Sequence, residues 1–507
     1  MEYNLQKKHA KTVGWLLDTV AEEPVDVDLT LPDYCPDIER ILRCTMQPQV
    51  YLSNLSSDNL NIEGNTCVRV MYLDSDKGCV RTYEHTVPFS RSFSLKDSPD
   101  HAAIYVEAKP EYINCRAQSP RKLSLHGAFS LYARVAVEKP LDYCAYDGDD
   151  LEIKSAPAEI SALSGLCGDL FTLDEEVPMS GKPSVGAVLS RQLGARITEL
   201  KAIHNKIMVT AEGRLELLYT SGEKNEIESL SYTFPISHIA DCEGVEDGDL
   251  IDGRLDVMSC DLSVNDDALG GSSVLSLEMK LCFSAMCWRN ETVTLMEDAF
   301  STELEVEPQL SPLRFCSTRR CLRFTDIAKE NITLDGDTFA RVIDVHCERI
   351  QVGAAISGGA PLLTAKAQIS VLYENAEGEM KHLSRDVDFN YNPSVDNCDS
   401  IENTAGCIDS LSYRIIDERT IELRAEIGYR MTVCCHESRT AVTAISADDD
   451  AEKRQPDSAL ILYYADKGEQ VWDISKRFCS RPADILSENE LDSETLPESI
   501  MLLIPTA

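Results

Sequence analysis

The sequence predicts a mainly β protein: three tandem antiparallel β-sandwich or open-barrel repeats, each with one short helix, followed by a small C-terminal βααβ module. Three observations predict it. A tyrosine-closed strand recurs three times in register, a long alternating strand fills the second half of each unit, and residues 459–507 read strand, helix, helix, strand.

The recurring strands are VRVMY ending at Tyr72, LELLY ending at Tyr219 and ISVLY ending at Tyr373, each followed by a polar turn. Thirty residues before each tyrosine stands Leu42, Leu189 or Ile343, and sixteen after it stands Pro88, Pro235 or Phe389. Upstream, PDIERIL (Pro36–Leu42) matches PSVGAVL (Pro183–Leu189) and DTFARVI (Asp337–Ile343). Apolar residues at positions 3, 6 and 7 of each have the spacing of one buried helical face, with Pro36 and Pro183 suited to a first turn. A short helix is therefore expected there. The tyrosines are expected to pack their rings and tie their hydroxyls to a turn, rather than to form a ligand platform.

The long strands alternate over lengths that demand one buried face. Leu123, Leu125, Gly127, Phe129, Leu131, Ala133 and Val135 mark the first, and Leu275, Leu277, Met279, Leu281, Phe283 and Ala285 the second. The third runs through Ile421, Leu423, Ala425, Ile427, Tyr429, Met431 and Val433. A sheet with one apolar face must be covered by another layer. Strand-like pieces in residues 145–180 and 299–335 read as the opening strands of the next unit. The expected domains are thus 1–145, 146–298 and 299–445, then a polar, flexible linker at 446–458 (SADDDAEKRQPDS).

A chain of 507 residues exceeds what one core serves, and 43% hydrophobic residues are enough to bury several. The balance of 48 basic against 86 acidic residues, a net charge of −38, disfavours nucleic acid and anionic membrane surfaces as partners. No run approaches the length of a membrane span, and the N-terminus lacks the apolar core of a signal peptide; it reads as a strand or short helix docked on the first domain. The cysteines number 19, odd and scattered, several within strand-like runs, which fits reduced core thiols in a cytosolic compartment.

In the C-terminal segment, Leu460–Ala465 is β-prone, residues 469–478 carry Val471, Trp472, Ile474 and Phe478 at helical spacing, Pro482 opens a second helix, and IMLLI (500–504) closes the module. Tyr464, Gly468, Trp472, Ile474, Phe478, Ile485, Asn489, Leu491, Leu502, Ile504 and Pro505 stand in the order of the LysM pattern, and the segment is similar to that family. It departs from the pattern at Glu469-Gln470 and Ser475. The resemblance implies a groove for N-acetylglucosamine-containing chains between two loops, formed here by Asp466, Lys467, Gly468, Glu469 and Gln470 on one side and Asn489, Glu490, Leu491 and Asp492 on the other. The carboxylates Asp466, Glu469, Glu488, Glu490 and Asp492 suit a basic protein partner as well as a neutral glycan. Trp472 is expected to pack in the core of the module.

LPDYCPDIERIL (residues 31–42), VPMSGKPSVGAVL (residues 177–189) and the tyrosine-closed hairpins resemble the SPOCS domains of spore-forming bacteria. SPOCS domains followed by LysM resemble the clostridial morphogenetic proteins that tether the spore coat to the forespore surface. That resemblance implies a structural protein at the coat surface in the mother-cell cytoplasm, with a coat or basement-layer protein as partner. The alternative is a peptidoglycan-binding protein of the cell wall or cortex. Phosphate-cradling loops, HExxH and GxSxG elbows are lacking, and Cys282/Cys287 and Cys316/Cys321 have no second pair or histidine cluster beside them. His204, His346 and His436 are expected to be hydrogen-bonded structural groups, and DDDAE (448–452) a solvated linker. No enzyme activity, metal or cofactor is therefore expected.

Overall fold

The computed structural model describes residues 3–505 except 57, 77, 98–101, 180, 223–225, 266–273, 397 and 448–458. The expected linker, apart from its first two residues, and the DDDAE run lie outside the described residues.

The chain is built almost wholly of antiparallel strands. The first six are β1 (Gln6–Thr30), β2 (Ile38–Ser56), β3 (Asn59–Asp74), β4 (Val80–Ser94), β5 (Ala102–Ser119) and β6 (Lys122–Ala145). They form two three-stranded sheets, ordered β1-β6-β5 and β2-β3-β4. Next come β7 (Glu152–Pro178), β8 (Val185–Ile203), β9 (Lys206–Ser221), β10 (Ile227–Asp241), β11 (Leu250–Asn265) and β12 (Val274–Phe300), ordered β7-β12-β11 and β8-β9-β10. Then β13 (Val306–Thr333), β14 (Arg341–Ser357), β15 (Ala360–Glu374), β16 (Met380–Tyr391), β17 (Ser400–Ile415) and β18 (Thr420–Ala447) give β13-β18-β17 and β14-β15-β16. In each set the two sheets share apolar contacts: Val25, Leu123 and Phe129 meet Ile62, Val68 and Val70 in the first, and Ile421, Leu423 and Ile427 meet Leu363, Ala365 and Ile369 in the third. The alternating residues of β6, β12 and β18 are the buried ones, Gly127 among them without a side chain.

The expected helices at Pro36–Leu42, Pro183–Leu189 and Asp337–Ile343 are not formed. Each segment is a turn leading into a strand, and the reason lies in the pairing register. Along β2 the register against β3 slips between Ile38 and Arg40 and again between Ile41 and Arg43; along β8 it slips at Val185/Ala187 and Val188/Ser190, and along β14 at Val342/Asp344. A bulge adds one residue without advancing the ladder, so alternation stretches locally to a three-residue spacing that imitates a helix.

The bulged residues Leu42, Leu189 and Ile343 meet in one apolar cluster with Met71, Leu218 and Leu372, which gives the molecule a hub to which all three strand sets contribute. The long strands also associate: β7 contacts β1 and β13, and β6, β12 and β18 contact one another. Cys144, Met296, Ala299, Val442 and Ile445 form a second shared cluster at their ends. Polar groups cross the same boundaries. Asp252 of β11 accepts hydrogen bonds from Asn403 (2.6 Å) and Thr432 (2.8 Å), while Arg254 reaches Glu107 at 3.3 Å.

The expected tyrosine contacts recur in all three sets. The Tyr72 hydroxyl donates to the Pro36 carbonyl (3.3 Å), Tyr219 to that of Pro183 (3.4 Å), and Tyr373 to the Asp337 carboxylate (3.1 Å). Each ties the end of one strand to the turn that launches its neighbour. All 19 cysteines are free thiols, and Cys407 alone among them is exposed.

Candidate functional site

The C-terminal residues fold as β19 (Leu460–Ala465), α1 (Val471–Phe478), α2 (Pro482–Glu488) and β20 (Ile500–Pro505), with β19 antiparallel to β20. Val471, Ile474, Ile485, Leu496, Leu502 and Ile504 make its core. Pro482 begins α2 and Cys479 caps α1 in the left-handed conformation, its N–H bonded to the Ser475 carbonyl.

Trp472 departs from expectation. It is buried, but its partners lie outside the module: the indole Nε1–H donates to Asp298 (2.9 Å), and the ring meets Phe300 edge-on at 5.1 Å. Lys476 pairs with the same carboxylate at 2.7 Å, and Arg481 reaches Glu152 at 3.5 Å. Helical spacing placed Trp472 correctly on an apolar stripe, but that stripe faces the end of β12. Burial opposes ionisation of Asp298, yet Lys476 and Trp472 outweigh it and hold its carboxyl below the usual range.

The nine groove residues separate into two groups. The Asp466–Gln470 loop is pinned to residues 494–499: Gly468 N–H to Leu496 O (2.9 Å), Leu496 N–H to Glu469 O (3.0 Å), and the Gln470 side chain to Thr495 (2.9 Å). Gly468 has φ +90°, where a side chain would strain the turn. Lys467 donates its N–H to the Ser499 hydroxyl (3.1 Å), and Glu469 accepts from the Tyr463 hydroxyl (3.1 Å). On the other side, Asn489 clamps β20, donating to Leu503 O (2.7 Å) and accepting from Leu503 N–H (2.7 Å), and Leu491 packs on the module core. Asp466, Glu490 and Asp492 are exposed. Several of the side chains assigned to ligand contact are thus engaged inside the module.

What stands open instead is the outer face of the β19–β20 sheet. Leu462, Tyr464 and Met501 are 65, 64 and 59% exposed, beside Leu460 at 45%. Lone exposed apolar residues are ordinary, but a set on one two-stranded face is a patch.

A second site went unread in the sequence. Beside the hub the three strand sets enclose a polar chamber of about 870 Å³, lined from β2, β8 and β14 and by six arginines against five carboxylates. Arg43 pairs with Glu348 at 2.7 Å across two sets, and Arg349 donates to the Pro110 carbonyl at 2.8 Å. His382 contacts the Ser370 hydroxyl at 2.8 Å; burial, and then the Arg43 charge, hold its imidazole at about 4. His346 is paired with Asp344 at 2.5 Å through Nδ1, in keeping with the structural role expected of it. His204 and His436 contact Glu246 (2.8 Å) and Ser400 (3.4 Å). The chamber residues come from positions roughly 150 apart, which no local motif links. Among the described residues no group of three or more His, Cys, Asp or Glu is placed to hold a metal ion. No helix among them is long and apolar enough to cross a membrane.

Fold and site together define a multi-unit β protein bearing a small docked α/β module. A family model described as "SipL, SPOCS domain" matches residues 37–118 and again 184–265, which supports a sporulation protein carrying SPOCS domains. The two matched stretches span β2–β5 and β8–β11 in the same register. No curated protein and no solved structure matches the chain.

Proposed function

We propose that this chain is a non-enzymatic structural protein of the bacterial endospore envelope, tethering a coat or basement-layer protein to the forespore surface from the mother-cell side through a LysM-type C-terminal module. The reading takes the third strand set as a further copy of the matched domain and each six-strand set as one β-sandwich. What carries it is the pairing of two sporulation-domain matches with a module whose sheet face is apolar and open.

The charge distribution of the module supports a protein partner. Lys476 and Arg481 pair with Asp298 and Glu152 of the array, which leaves Lys467 and Arg477 outnumbered by the exposed Asp466, Glu488, Glu490, Asp492, Glu494 and Glu498. A surface with an apolar centre and a basic rim complements that arrangement. A glycan groove is the competing reading, and the internal bonds of Gln470, Glu469 and Asn489 weigh against it.

The test is cross-linking capture from sporulating cells with the full chain and with a Leu462→Ser/Tyr464→Ser double variant. The expected result is a coat-layer protein cross-linked to residues 460–505 and lost with the variant. Equal capture by the variant, or millimolar chito-oligosaccharide binding to the wild type at the 466–470 loop, would contradict the proposal.

A further inference from the structure

The lining of the polar chamber gathers Arg43, Arg69 and Arg191 in a chain whose total charge is −38. Immediately past the bulges that build the hub, β2 turns Arg43 into the chamber and β8 turns Arg191 into it, while Arg69 of β3 stands beside Arg43. Arg43 and Arg69 are buried and each has a carboxylate partner, Glu348 at 2.7 Å and Glu84 at 2.6 Å. Arg191 differs: among the described residues no ion pair or hydrogen bond reaches its guanidinium, and its charge acts on the Cys67 thiol together with that of Arg69.

A second observation comes from the third strand set. His346 lines the same chamber, is 8% exposed, and its Nε2 has no hydrogen-bond partner among the described residues. An unsatisfied buried ring nitrogen is costly unless something occupies the space before it. Guanidinium groups gathered without a full complement of carboxylates likewise repel one another; an oxyanion answers them with forked, charge-assisted bonds, and since His346 Nδ1–H is used on Asp344, its Nε2 is an acceptor that a hydroxyl or P–OH of the same ligand satisfies. The volume falls within the range of small-molecule sites.

We propose that the chamber is a binding site for a small molecule bearing phosphate or carboxylate oxyanions, held by Arg191, Arg69 and Arg43, with a hydroxyl or P–OH of the same molecule donating to His346 Nε2. Because the ligand touches all three strand sets, occupancy would also fasten them together.

Isothermal titration of the full chain with inorganic pyrophosphate and, separately, citrate tests this and distinguishes the two oxyanion classes. At least one is expected to bind with one-to-one stoichiometry, and Arg191→Gln is expected to weaken it by about tenfold or more while leaving the melting temperature unchanged or higher. Arg191→Lys, which keeps the charge but not the fork, gives an intermediate loss and serves if the first variant fails to fold. Arg424→Gln, on an exposed position of β18, is expected to bind as the wild type does. Absence of heat with both probes at about 10 mM, or equal binding by wild type and both Arg191 variants, would overturn the proposal.

Discussion

At the scale of single residues, the tyrosines and His382 show how much a side chain's surroundings decide. Tyr72, Tyr219 and Tyr373 are expected from the sequence to pack with the hydroxyl tied to a turn, and each hydroxyl does reach the turn thirty-six residues upstream. His382 offered no such signal, because its neighbours Arg43, Glu348, His346 and Asp344 arrive from distant segments. Its depressed value carries a pH consequence with a definite sign. The folded state holds the imidazole neutral down to about 4, whereas an unfolded histidine takes a proton near 6.5. Its contribution is complete above about 6.5 and declines as the pH falls toward 4, on the order of 3 kcal/mol over the window. Comparing melting temperatures at pH 7 and pH 4.5 should show a smaller loss for His382→Gln than for the wild type. Identical losses would remove His382 from the account.

At the scale of elements, alternation made the long strands legible, since β6, β12 and β18 bury the residues that a period of two selects. The short helices were misread for a physical reason. Ile38, Ile41 and Leu42 have helical spacing, but two bulges in β2 produce the same spacing in a strand, and only the ladder to β3 distinguishes the cases. The module's helices were legible from Pro482 and the Trp472–Phe478 stripe; what the stripe faced was not. The contact of Trp472 and Lys476 with Asp298 sets the module's docking. Two charge-assisted bonds to one partly buried carboxylate are worth about 1–3 kcal/mol. Asp298→Ala should therefore raise amide exchange across α1 by roughly tenfold to a hundredfold while leaving β3, β9 and β15 protected. The depressed carboxyl gives the sign with pH: docking is complete above about pH 4 and is lost as the pH falls through the lower, docked-state value. Equal exchange in the variant, or an effect that spreads through the sheets, would contradict this contact.

At the scale of the whole molecule, three sets of six strands do not hang as beads along a chain. They converge on the hub, cross-bond through Asp252 and Arg254, and enclose the chamber. None of this was legible, because alternation reports which face is buried and not which neighbour buries it. The equivalence of Leu42, Leu189 and Ile343 was visible as spacing, but their meeting at one point depends on bulges that turn each side chain out of its own sheet. Leu189 is fully buried there, so truncating it leaves a cavity costing about 2–5 kcal/mol. Hydrogen-exchange mass spectrometry of Leu189→Ala is the most direct measurement of the shared hub. Exchange should rise in β2 and β14 as well as in β8, since the cavity belongs to all three sets. A rise confined to residues 152–300 would mean that the sets fold independently and that no common hub holds them.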